Sequence, residues 1–247
     1  YFHLVRAWGP VMIIEDNISL AENPIIPLNP VQDVYKFIIN ALTWAAQHLP
    51  ETDIPGRLTR WSAEGMLAKV YLAFSGYGSL DGTRNQEMLE NAKFYAADVC
   101  MNSGLVLMEN YEDLFKYKHN VNRAGADNYE SLFSLLWVPL GTWGSQNATL
   151  SDFAFHSDVV GGVAAWGSHR ASYDILVAYK PNDTIRRNAT FMTNGTHYPE
   201  INGADGGYTF KGTDQCPLKK YVPGGPKDNE GQVATMNSPL NSYILRL

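Results

Sequence analysis

Three observations predict a mainly α-helical fold, with tetratricopeptide-like antiparallel helix pairs, an irregular loop-rich lobe and a few short strands. Apolar residues recur three and four apart through successive stretches of the first half. Small residues such as Ala63 and Ala68 sit where paired helices would cross. Beyond Pro139 the periodicity dissolves into Gly, Asn, Thr and Ser interleaved with aromatic residues. The expected division is a helical scaffold over 1–137, truncated at its N-terminal side, and a loop-rich lobe over 138–247 that carries the ligand contacts.

Each element has a local reason. Tyr1 to Gly9 reads as the end of a helix. Asn29-Pro30 reads as a helix start, with Asn as cap and Pro at the first helical position. Val34, Ile38, Ala41, Leu42, Ala45 and Leu49 then form a buried stripe, and Pro50 follows the end. Pro55-Gly56 breaks the chain before Thr59, which caps the next helix. Its apolar stripe is Ala63, Met66, Leu67, Val70 and Tyr71, and it ends at Ser75-Gly76-Tyr77-Gly78. A third helix runs from about Asn85 to Asn102, burying Leu89, Ala92, Tyr95, Ala96 and Val99, and Ser103-Gly104 closes it. Tyr111 to Tyr117 is a short helix or turn, and Ser131 to Val138 is a strand-like apolar run.

Composition narrows the function. The net charge of −6 and the lack of a Lys/Arg cluster argue against a phosphate backbone, so no nucleic-acid partner is expected. No apolar run approaches the roughly 20 residues that span a bilayer. Cys100 and Cys216 are too few for a disulfide framework; Cys100 reads as a small buried residue, and a bridge between the two stays open. The Asn-x-Ser/Thr triplets at Asn17, Asn147, Asn182, Asn188 and Asn194 mark surface loops. Both ends read as cuts through structured protein, and the chain is expected to be a fragment.

A search for chemistry finds no catalytic constellation. Gly76-Tyr77-Gly78-Ser79-Leu80-Asp81-Gly82 follows a helix and reads as a turn, not a nucleotide loop. There is no Walker-type loop, no nucleophile elbow, no His-Glu-x-x-His and no Cys-x-x-Cys, so neither metal nor cofactor is expected. Glu15-Asp16 and Asp228-Asn229-Glu230 could supply paired carboxylates, and neither has surroundings that would separate two pKa values. What remains is a set of aromatic residues, Trp143, Phe153, Phe155, Trp166 and Tyr173, among Asn147, Asp152, Asp158, His169 and Arg170. Flat rings stack on the C–H face of a pyranose while amide, carboxylate and guanidinium groups bond its hydroxyls. The competing reading makes these rings the small core of the lobe.

The order of segments resembles the SusD/RagB family, the glycan-binding surface lipoproteins of Bacteroidetes. Tyr1-Phe2-His3-Leu4-Val5-Arg6-Ala7-Trp8-Gly9 is similar to a helix end in that family, and Val34 to Leu42 to its next helix. Gly56-Arg57-Leu58-Thr59 through Tyr71-Leu72 is similar to its most recognisable block. Asn110-Tyr111-Glu112-Asp113-Leu114-Phe115, Glu130-Ser131-Leu132-Phe133 and Lys219-Lys220-Tyr221 resemble further markers, and Ile244-Leu245-Arg246-Leu247 the start of a C-terminal helix.

That resemblance implies a non-enzymatic protein that captures an oligosaccharide and caps a SusC-like TonB-dependent transporter. It further implies the extracellular face of the outer membrane, reached through an N-terminal lipid anchor absent from this fragment. Residues are not transferable one by one across the variable 138–173 region. Trp143, Trp166, Tyr173, Phe155, Asn147, Asp158, His169 and Arg170 are therefore site candidates on chemistry and position. Three alternatives stay open: a peptide-binding homologue, a hydrolase using Asp152 and Asp158, and a plain helical-repeat adaptor.

Overall fold

A computed structural model of the chain describes residues 1–22, 24–120, 129–141, 146–169, 171–213 and 216–247. It divides into two compact units, one of 1–106, 131–133 and 245–247, the other of 107–130 and 134–244.

The first unit grows from helix-forming stretches. Short α1 (Phe2–Trp8) buries Val5 and ends at Gly9, whose φ of 72° favours glycine. Helix α2 spans Val31–His48 and buries Val31, Val34, Tyr35 and Ile38. The expected cap shifts by one residue, because Pro30 holds the N-cap position and Asn29 is engaged elsewhere. Asn29 Oδ1 accepts the Ile13 N–H at 2.8 Å, and its own N–H donates to the Val11 carbonyl at 2.9 Å. The stripe fades toward the C-terminus, where Ala41 is exposed.

Helix α3 (Arg60–Phe74) starts at Thr59, where Thr59 and Ser62 form a capping box. It packs on both α2 and α4 (Gln86–Asn102), which explains why it is buried on more than one side. Besides Ala63, Leu67 and Val70, it buries Trp61, Ser62, Glu64 and Gly65. A polar residue tolerates that position only when bonded: Ser62 Oγ donates to the Leu132 carbonyl at 2.5 Å, and Glu64 pairs with Arg60 at 2.8 Å. Burial still dominates at Glu64 and raises its pKa despite the Arg60 hydrogen bond.

Asn85 caps α4 by accepting the Met88 N–H at 3.0 Å. Ala92 and Val99 face inward, whereas Ala96 and Cys100 are exposed. Cys100 is thus not the buried residue expected, since the inward face of α4 passes through Val99 instead. Both cysteines are free thiols.

Of the second unit's elements, Tyr111–Phe115 is a 3-10 turn that buries Leu114. Short helices α5 (Thr149–Phe153), α6 (Tyr173–Ala178) and α7 (Thr184–Thr190) follow, with a hairpin of β2 (His197–Tyr198) and β3 (Tyr208–Thr209). The lobe is ordered around its own core, in which Leu150, Val160, Met192, Ile201 and Phe210 are almost wholly buried. Aromatic and aliphatic residues supply the burial that regular elements do not.

The apolar run at 131–138 yields β1 over Ser131–Leu135 and pairs with β4 (Ser242–Arg246). This corrects the C-terminal expectation: Ile244-Leu245-Arg246 is strand, not the start of a helix. Tyr243 and Ile244 suit a pleated surface, and β1 is the strand they pair on. No helix among the described residues is long and apolar enough to cross a membrane.

Candidate functional site

Helix α5 builds the site from inside out. Leu150 and Ala154 anchor it in the core, and Ser151, fully buried, accepts the Met236 N–H at 2.8 Å. Three backbone bonds clip the segment 166–169 against it: Trp166 N–H to Ser151 O at 2.8 Å, Gly167 N–H to Ala154 O at 3.1 Å, and His169 N–H to Asp152 O at 3.2 Å. Both edges of the platform are therefore fixed by main chain, which holds side chains better than a free loop would.

Phe153 emerges half-buried from this platform. The His169 ring lies 5.0 Å from it at 36°, and Tyr221 stacks on it at 4.5 Å and 26°. Trp166, on the clipped segment, is 48% exposed, and Tyr221 is 38% exposed. Trp166 and Tyr221 thus leave ring surface exposed on the platform that carries half-buried Phe153, suited to stacking on a flat apolar surface with polar edges.

The other candidates scatter. Asn147 leaves the ligand-facing set: at 5% exposure its amide donates to the Leu240 carbonyl at 2.9 Å and accepts from the Thr149 N–H and hydroxyl. Phe155 packs on the lobe core, edge-on to Phe210 at 5.9 Å, so the competing core reading applies to it. Tyr173, 57% exposed, opens α6. Asp158 is exposed and lines a glycine-rich pocket of about 470 Å³ with Asn202, Tyr208 and Asp228. Trp143 and Arg170 lie outside the described residues.

Tyr221 is not among the expected candidates, because no local pattern joins it to Phe153. Lys219, two residues before it, is not among them either. It is 8% exposed, makes ion pairs with Glu112 and Glu200, and sits over the Tyr198 ring at 4.8 Å. Burial opposes its ammonium, but the two carboxylates outweigh burial and raise its pKa. Glu200 is lowered in turn, with burial overcome by the Lys219 hydrogen bond. Among the described residues, no group of three or more His, Cys, Asp or Glu could hold a metal ion.

Known proteins bear on this geometry. The chain is 56% identical, across its full length, to a SusD-like protein of Bacteroides ovatus. Over its whole length this chain is SusD-like. It spans 44% of that relative. Two solved structures at 55% identity superpose with a TM-score of 0.91 over the whole chain, covering 47% and 49% of their own lengths; the second was solved with xylogluco-oligosaccharide. A laminarin-binding SusD-like protein shares the fold at a TM-score of 0.71 and 19% identity, over 100% of this chain and 54% of its own. No family model matches the chain. The mainly helical architecture, with few short strands, is thus the SusD-like one.

Proposed function

We propose that this SusD-like chain takes part in capturing a neutral oligosaccharide of the xyloglucan type, without chemically changing it. The observation that carries the reading is the exposed Trp166, His169 and Tyr221, grouped with half-buried Phe153 on a platform clipped by backbone bonds. The relative solved with xylogluco-oligosaccharide supports the ligand class. Trp143, Arg170, Tyr173 and Asp158 remain proposed contacts on chemistry and position in the sequence.

In the whole protein we assign the chain to the capture subunit over a SusC-like TonB-dependent transporter. That role places it at the extracellular face of the outer membrane, held by a lipid anchor. The unit of 1–106, 131–133 and 245–247 serves as scaffold, and the unit of 107–130 and 134–244, which holds most of 138–247, as the displaying lobe.

Electrostatics favour binding over hydrolysis. A glycosidase needs one carboxyl kept protonated near neutrality beside one that is ionised. Glu112 and Glu200, two acids of this lobe that share the Lys219 ammonium, do not form such a pair, because the ammonium holds Glu200 low. A glycan array run against a peptide panel tests the reading. Binding to β-glucan-type oligosaccharides is expected; signal on peptides alone would replace the glycan assignment, and sugar release from a polysaccharide digest would revive the hydrolase.

A further inference from the structure

A second pocket of about 460 Å³ opens on the same lobe, and none of Phe153, Trp166, His169 or Tyr221 lines it. We propose that it is a separate binding site for a neutral, hydroxyl-rich ligand such as a glycan unit, read by Glu112, Phe115, Tyr117, Glu200 and Lys220. The assignment rests on the glycan-capture reading and adds a second point of contact to it.

Its volume falls in the range of about 300–1,000 Å³ typical of small-molecule sites. Buried Ile201, Val222 and Ala189 contribute apolar lining, and Phe115 and Tyr117 add rings. Against this lie ordered charges. Lys219 engages Oε1 of both Glu112 and Glu200, whose side chains stay about a third exposed. The Lys220 ammonium rests 5.1 Å from the Phe115 ring centroid and 5.8 Å from that of Tyr111, with the Tyr111 hydroxyl at 3.4 Å. An ammonium has three donors, so these contacts orient Lys220 without exhausting it.

The sign of the ligand follows from balance. Among the described lining residues four lysines face four carboxylates. An anion would meet the carboxylates and a cation the lysines, so neither gains from the pocket as a whole. A neutral polyol donates hydroxyl protons to the carboxylates and accepts from the lysine, while its C–H face lies on the rings. Prearranged charges make those bonds without much ordering cost.

Hydrogen–deuterium exchange on the full-length protein, with and without a neutral xylogluco-oligosaccharide, reads the two sites separately. Slowed exchange is expected in peptides spanning 112–118 as well as in those around Phe153 and His169. In Lys220→Ala, the oligosaccharide concentration giving half-maximal protection at 112–118 should rise about tenfold, the loss of one charge-assisted hydrogen bond. Protection at Phe153 and His169 without protection at 112–118 overturns the second site and leaves the first standing. Protection at neither removes both, and an unchanged Lys220→Ala response overturns the role of this pocket.

Discussion

Phe153 and Tyr221 lie face to face, their ring centroids 4.5 Å apart and their planes 26° from parallel. One ring comes from a short helix and the other from a distant loop, so the stack fixes the aromatic run as well as forming part of it. Tyr221→Ala should weaken oligosaccharide binding about tenfold, because it removes a ring face and frees Phe153. Tyr221→Phe keeps the face and should bind within about twofold of wild type. Calorimetric titration of both variants distinguishes a stacking role from a hydroxyl contact.

The Lys219 triad makes a stability prediction. Lys219→Met leaves Glu112 and Glu200 without their shared cation, and should cost about 2 kcal/mol at pH 7, less than a fully buried pair because both acids are partly exposed. The pH dependence has a definite sign. Glu200 is depressed in the folded protein, so its contribution is present above the ordinary value of 4.5 and is lost as pH falls through the folded value. Lys219 is raised, so its contribution holds below 10.5 and fades as pH climbs through the folded value. Urea denaturation at pH 7 and pH 4 should show the gap between wild type and variant narrowing in acid.

Glu64 predicts the opposite slope. Its carboxyl is raised by burial, so the folded state binds that proton more tightly and loses stability as pH rises from 4.5 through the folded value. Its Oε2 is buried without a hydrogen-bond partner. Glu64→Gln should therefore stabilise the protein by about 1 kcal/mol at neutral pH. The gain should vanish near pH 4, and thermal melts at the two pH values check it.

Gly225 and Gly161 pass so closely that a Cβ on Gly225 would lie 2.8 Å from the Gly161 Cα. Backbone cannot swing aside as a side-chain tip can. Gly225→Ala should destabilise the protein by about 2 kcal/mol through overpacking, visible as a lower urea midpoint with an unchanged slope.

The three long helices were legible because their periodicity, Thr59 and Asn85 are local signals. Glu64 and Gly65 were not, since tertiary contacts bury them: Gly65 lies against Leu132 and Leu245 of β1 and β4, and Glu64 pairs with Arg60. The strand at 242–246 departs from the helix start that the resemblance implied; a short apolar run carries no period of its own, and β1 decides its form. Trp166 and His169 could be chosen from chemistry, whereas Asn147 looked equally suitable until its amide proved to be tied to Leu240 and Thr149. Tyr221 needed tertiary structure, because stacking on Phe153 leaves no trace in spacing.

Rings carried by the clipped α5 platform hold the oligosaccharide in the proposed function. Isothermal titration of the full-length protein with xylogluco-oligosaccharide, as wild type and as Trp166→Ala, tests it most directly. Wild type should bind saturably, and the variant about tenfold more weakly with an unchanged melting temperature. Equal affinities for the two proteins would contradict that proposal.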